Sequence, residues 1–197
     1  MMQLVFMTEE SSMEQCLNII VPKLIPSEKL ESGEVTFIII PHEGKQDLER
    51  SIPRKLRAWK DYEGMKYKFI VLRDQDNCDC IKVKENLVKL SADAGRPDTL
   101  VRIVCRELES WFLGDLDAVT KGLQVSIPKS YCHKFKNPDN ILKPSEELSR
   151  IHTGYRKIDG ARKISQHLNL EKNNSQSFNV FISGMNDLLW TIWEAET

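Results

Sequence analysis

The run Lys68-Phe69-Ile70-Val71-Leu72-Arg73-Asp74-Gln75-Asp76 constrains this chain more than any other stretch. An apolar, β-branched segment stops abruptly at two aspartates separated by one residue. Such a segment predicts a buried strand, and the pair falls at its carboxyl end, where open parallel sheets place their ligands. Carboxylate oxygens there suit hard divalent cations such as Mg²⁺, which keep several waters. Asp also favours turns and helix N-caps, so Asp76, Asn77 or Asp79 is an equally good cap for a helix starting near Ile81.

Three further strands are legible around this one. Gln3 to Thr8 reads as a first strand, Val35 to Ile40 as an uninterrupted β-branched second, and Leu100 to Cys105 as a fourth. Helical spacing separates them. Ser11 and Ser12 offer an N-cap to a helix carrying Met13, Cys16, Ile19, Ile20 and Leu24, which Pro22 bends or shortens. A second helix runs from about Gln46 to Trp59 despite Pro53. A third runs from Ile81 to about Leu90, with Ile81, Val83, Leu87 and Leu90 facing inward. Strand and helix alternate four times, so the expected fold class is α/β: a four-stranded, mostly parallel sheet with flanking helices and right-handed crossovers.

After Cys105 only helices and loops are expected. Helical stretches fall at Glu107 to Leu113, Leu116 to Leu123, Glu146 to Ile151, Gly160 to Leu168 and Phe178 to Trp193. Ser126 to Lys143 reads as an extended loop. A core at 1–115 and a helical extension at 116–197 packed on it make one domain overall, a reasonable size for 197 residues.

Composition narrows the function classes. A net charge of -1 gives no global basic footprint, so nucleic-acid binding needs a local patch or a metal bridge. No segment approaches the roughly 20 apolar residues of a membrane span. The first residues lack the basic region and cleavage site of a signal peptide. Five irregularly spaced cysteines argue against a disulfide framework and for a reducing cytoplasm.

A parallel sheet brings four strand ends to one edge: Glu9-Glu10, His42-Glu43, Asp74-x-Asp76 and Arg106-Glu107-Leu108-Glu109. Crowded carboxylates repel one another unless a proton or cation lies between them. One or two Mg²⁺ ions meet that need, and two metals about 4 Å apart clamp both oxygens of a phosphodiester in displacement.

These residues resemble the Toprim fold of topoisomerases, primases and overcoming-lysogenization-defect type nucleases: a Glu after strand one and Asp-x-Asp after strand three. The chain is more closely similar to a family of small uncharacterised Toprim-like proteins of bacteria and archaea. The matching blocks are Glu9-Glu10-Ser11-Ser12-Met13-Glu14, His42-Glu43-Gly44-Lys45-Gln46-Asp47-Leu48, Asp74-Gln75-Asp76-Asn77-Cys78-Asp79-Cys80 and Arg106-Glu107-Leu108-Glu109-Ser110-Trp111-Phe112-Leu113-Gly114-Asp115. Lys157-Ile158-Asp159-Gly160-Ala161 and Ser175-Gln176-Ser177-Phe178 also look like family features. The first block departs at Glu10, where Gly is usual, and at Met13, where an acidic residue is common. The resemblance implies Glu9, Asp74 and Asp76 as ligands of Mg²⁺ or Mn²⁺, with Glu107 or Glu109 completing the site. It also implies a neighbouring ATPase of the ABC or SMC type and a place in antiphage or mobile-element systems. The expected activity is metal-dependent phosphoryl transfer, a nuclease on DNA or RNA. The alternative is a non-catalytic subunit of such an ATPase. Substrate and oligomeric state stay open.

Other residues carry paired readings. His42 serves as general acid or base and Lys45 as a phosphate ligand, or Gly44 makes a turn and Lys45 starts a helix. Arg106 steadies a phosphate or pairs with Glu109. Trp111 and Phe112 pack the core in preference to stacking bases. Cys78, Cys80, Cys132 and His133 offer three sulfurs and one nitrogen to zinc, but at a spacing that fits no common zinc motif, and the three cysteines read in preference as buried free thiols. Lys129, Lys134, Lys136, Lys143, Arg150, Arg156, Lys157, Arg162 and Lys163 make the last third locally basic, with Tyr131, Phe135 and Tyr155 interleaved. That stretch is a base-stacking surface or a solvated loop. Leu188-Leu189-Trp190-x-x-Trp193 enters the core or faces a partner.

Overall fold

The structure is a computed structural model and describes residues 1–194. Four strands form one sheet: β1 (Met2–Thr8), β2 (Val35–Pro41), β3 (Lys66–Asp74) and β4 (Leu100–Val104), in the order β2-β1-β3-β4. Every pairing is parallel, with Val5 opposite both Ile38 and Phe69. The α/β expectation therefore holds, with no antiparallel strand in this sheet.

Period-two alternation divides the core into two layers. Leu4, Phe6, Ile70 and Leu72 point to one face and Val5, Met7, Phe69 and Val71 to the other. The second face is covered by α3 (Lys45–Ala58) and α4 (Cys80–Asp93), through Leu48, Ile52, Leu56, Val83 and Leu87. The first is covered by α1 (Ser11–Ile20) and the C-terminal helices: α5 (Glu109–Leu113), α6 (Leu116–Leu123), α8 (Pro144–Ile151), α9 (Lys157–Ser165) and α10 (Gln176–Glu194). The chain thus leaves β1 for β2 across one face and leaves β3 for β4 across the other. The sheet has its topological switch point between β1 and β3, the crevice where such folds bind ligands.

Some elements differ from expectation. The first helix stops at Ile20 and passes into a 3₁₀ turn, Val21–Lys23, because Pro22 lacks the N–H to continue it. Its N-cap is Glu10, and Ser12 Oγ donates to the Glu10 carboxylate. A five-residue helix, α2 (Ser27–Glu31), precedes β2 unannounced. The expected loop over 126–143 contains α7 (Ser130–Lys134) and a 3₁₀ turn at Pro138–Asn140. Phe135 is buried at the end of α7. Ile81 is 69% exposed, not inward. It lies about 200° around α4 from Val83, at 100° per residue, so the two cannot share a face. Cys78 and Cys132 are exposed, not buried; Cys16 is the buried thiol. Trp111, Phe112 and Leu189 are core residues, whereas Trp190 is exposed. Among the described residues no helix is long and apolar enough to cross a membrane.

Candidate functional site

The switch point delivers Glu9 and Asp74 side by side. Asp74 N–H donates to Glu9 Oε2 at 3.1 Å, tying the end of β3 to the loop after β1. Arg73, almost wholly buried, places Nε 3.8 Å from the same oxygen and Nη1 2.6 Å from Glu49 Oε1. Burial, and then the charge of Asp76, hold the Glu9 carboxyl above its ordinary range. Asp74 is 4% exposed, and its Oδ1 has no hydrogen-bond partner among the described residues. Burial raises its pKa well above the carboxylate range, and the charges of Glu10, Glu109 and Glu9 add to the effect.

Asp76 sits two residues past the end of β3 in left-handed backbone, φ 52°. Arg106, after β4, is left-handed too, at φ 63°. These conformations cost side-chain-bearing residues energy and concentrate at functional sites. The two loops are laced together. Asp76 N–H donates to Arg106 O at 2.9 Å, and Arg106 Nη1 donates back to Asp76 O at 3.2 Å. Arg106 thus braces the aspartate loop and forms no pair with Glu109. The helix cap is Asp79, whose Oδ1 accepts from the N–H groups of Ile81 and Lys82. Asp76 is released from that duty, and its Oδ2 accepts from Lys45 Nζ at 2.9 Å. That bond raises the Lys45 pKa.

The fourth strand end contributes Glu109, at 0% exposure in the first turn of α5. Its Oε1 accepts from Tyr155 Oη at 2.9 Å, and its Oε2 lies 3.9 Å from Lys157 Nζ. Burial pushes the carboxyl up to about 7 against the opposing pull of Lys157. Lys157 also stands 3.6 Å from Glu10 Oε1. Burial disfavours its charge, but Glu109, Glu10 and Asp74 outweigh that and raise its pKa. A Cβ on Gly160 would stand 2.2 Å from the Tyr155 ring, so only glycine lets that ring lie down against α9 and reach Glu109. Glu107 turns elsewhere, accepting from Ser145 N–H at 2.8 Å near the start of α8.

The structure brings Glu9, Asp74, Asp76 and Glu109 to one edge with Lys45 and Arg106, and adds Glu10, Arg73, Tyr155 and Lys157. The last two carried a weak signal, since Lys157 opens a distinctive block, but nothing local ties them to Glu109. His42 is buried against other groups: Nδ1 lies 2.8 Å from Thr8 O and Nε2 2.9 Å from Lys55 Nζ. Burial lowers its pKa, and Lys55 contributes. Among the described residues no three His, Cys, Asp or Glu side chains stand as a group that could hold a metal ion. Each carboxylate but Asp74 is turned toward a donor of the protein itself.

Fold and site define a parallel α/β protein with a carboxylate centre at its switch point. Residues 8–186 match the family model described as Domain of unknown function (DUF4276), and the chain belongs to that family. No curated protein and no solved structure matches it.

Proposed function

We propose that this protein is a Toprim-like, metal-dependent phosphoryl-transfer protein, a nuclease acting on DNA or RNA in an antiphage or mobile-element system. The observation that carries the reading is Asp74: a buried carboxylate with an unpartnered Oδ1, at the switch point, among Glu9, Glu10 and Glu109. A fold keeps such a group against its desolvation cost when function requires it. The donor chemistry fits Mg²⁺ or Mn²⁺, since these carboxylates supply hard oxygens. The group is not preassembled, because Asp76 is held by Lys45. Glu9, Asp74, Asp76 and Glu109 would hold the cation once Lys45 turns away. A bound cation would neutralise the centre and polarise a phosphoryl oxygen. Lys45 would then be released toward the phosphate. Glu109, with a pKa near 7, can hold or give up a proton at neutral pH.

A second reading has its own support. Lys45 on Asp76, and Lys157 beside Glu10 and Glu109, already balance much of the charge. That balance suits a non-catalytic subunit docked on an ABC- or SMC-type ATPase. The two readings separate in one comparison. The protein is incubated with DNA and RNA plus Mg²⁺ or Mn²⁺, beside an Asp74→Ala/Asp76→Ala double variant. Metal-dependent cleavage that the variant lacks supports the enzyme. Absence of cleavage, together with no Mn²⁺ binding by calorimetry, favours the subunit.

A further inference from the structure

A cavity of about 530 Å³ opens between α1 and the start of α9, lined by Gln15, Arg156, Lys157, Ile158, Asp159 and Arg162. Three of these side chains are cationic and one is acidic. Asp159 is already engaged, by Arg162 at 2.8 Å and Lys163 at 2.7 Å. Arg156 makes no ion pair among the described residues. Lys157 belongs to this cavity and to the carboxylate centre at once. Its ammonium lies 3.6 Å and 3.9 Å from Glu10 and Glu109, beyond hydrogen-bond reach, so its N–H groups remain available to a further acceptor. Ile158, 55% exposed, puts an apolar patch beside the cations.

We infer that this cavity is a phosphate subsite: Arg156, Lys157 and Arg162 take a phosphate group of a nucleotide or nucleic-acid strand, and Ile158 meets its sugar or base. The inference deepens the reading above and rests on it for the identity of the strand. The guanidinium groups are suited to forked phosphate contacts, and Lys157 to a point charge. A positive pocket adjoining a negative centre holds the strand by a phosphate next to the one presented to the carboxylates. That division lets an acidic site bind a polyanion, because the net attraction comes from the shoulder and not from the centre. Asking Lys157 to face both sides also links the two. A phosphate in the pocket draws its ammonium off Glu10 and Glu109 and exposes their oxygens.

The test uses the full chain without divalent metal, with a fluorescein-labelled single-stranded oligonucleotide followed by anisotropy over a salt series. AMP and inorganic phosphate serve as competitors. Wild type is expected to bind, and Arg156→Ala/Arg162→Ala to bind at least about tenfold more weakly. Each lost phosphate contact lowers the salt slope by about 0.7 for a single strand. Competition by AMP places a free nucleotide in the pocket, and resistance to AMP places a strand there; both support the subsite. Equal binding by wild type and the double variant, with matching circular dichroism, overturns it, as does no binding by wild type. Mn²⁺ calorimetry on the same variants keeps the readings apart. Metal binding that survives Arg156→Ala/Arg162→Ala with unchanged oligonucleotide affinity sinks the subsite alone. Oligonucleotide binding without any metal binding sinks the nuclease alone.

Discussion

Glu109 shows what a single side chain does to the chemistry of this edge. It has no exposed surface, one hydrogen bond from Tyr155 and a lysine just out of hydrogen-bond range. Burial lifts its carboxyl to about 7, above the ordinary 4.5. Between those values the folded protein holds a proton that the unfolded chain releases. The stability this provides is therefore complete below about pH 4.5 and is lost as pH rises through about 7. Glu109→Gln has no proton to lose. Its stability relative to wild type should rise by about 1–3 kcal/mol between pH 5 and pH 8. Thermal melts of both proteins across that range measure it, and a constant difference would show that Glu109 does not titrate there. The acidic members of this centre were legible because strand ends announce themselves in sequence. The tie of Tyr155 and Lys157 to Glu109 was not, since 46 residues separate Tyr155 from the carboxylate it serves. His42 was read from its place at a strand end, but its ring is taken by Thr8 and Lys55.

At the scale of elements, the question left by the sequence was which side chain caps α4. Asp76, Asn77 and Asp79 each carry an oxygen able to accept at an N-cap, and only the register of the first helical turn decides among them. The helix starts at Cys80, so Asp79 is the cap. Asp79→Ala should cost about 1 kcal/mol of stability, seen in urea unfolding, and leave Mn²⁺ affinity unchanged. Loss of metal binding in that variant would move the centre one turn along the loop. The four strands and the long helices were readable because period-two and helical patterns extend over many residues. The short helices α2 and α7 were not. Five residues carry too little periodicity to show, and so short a helix is held by its surroundings and not by propensity. For α7 those surroundings are the buried Phe135 and the pair between Lys134 and Glu147.

At the scale of the molecule, the C-terminal third completes both the core and the site. The apolar layer beneath β1 and β3 contains Leu4, Phe6, Ile70 and Leu72 together with Trp111, Phe178, Phe181, Met185 and Leu189. Trp111 lies with its ring centroid 5.1 Å from those of both Phe178 and Phe181, and its indole N–H donates to Ser177 Oγ at 3.1 Å. Asn173 Nδ2 donates to the Trp111 carbonyl at 2.9 Å. Cutting the chain after Asp115 would strip these contacts from Trp111 and expose one face of the sheet. It would also remove Tyr155 and Lys157 from Glu109, leaving that carboxylate without its hydroxyl donor and the acidic edge without one of its cations. Burying a large aromatic side chain is worth roughly 1.5–3 kcal/mol, and whole domains are stable by only about 5–15 kcal/mol, so several such losses exceed what the remainder can bear. The full chain should therefore unfold in urea in one transition, coincident by far-ultraviolet circular dichroism and tryptophan fluorescence. A fragment of residues 1–115 should show no cooperative transition. A sharp melt of that fragment, or two separated transitions in the full chain, would mean that the α/β part stands alone and that the helical third is an accessory to the site.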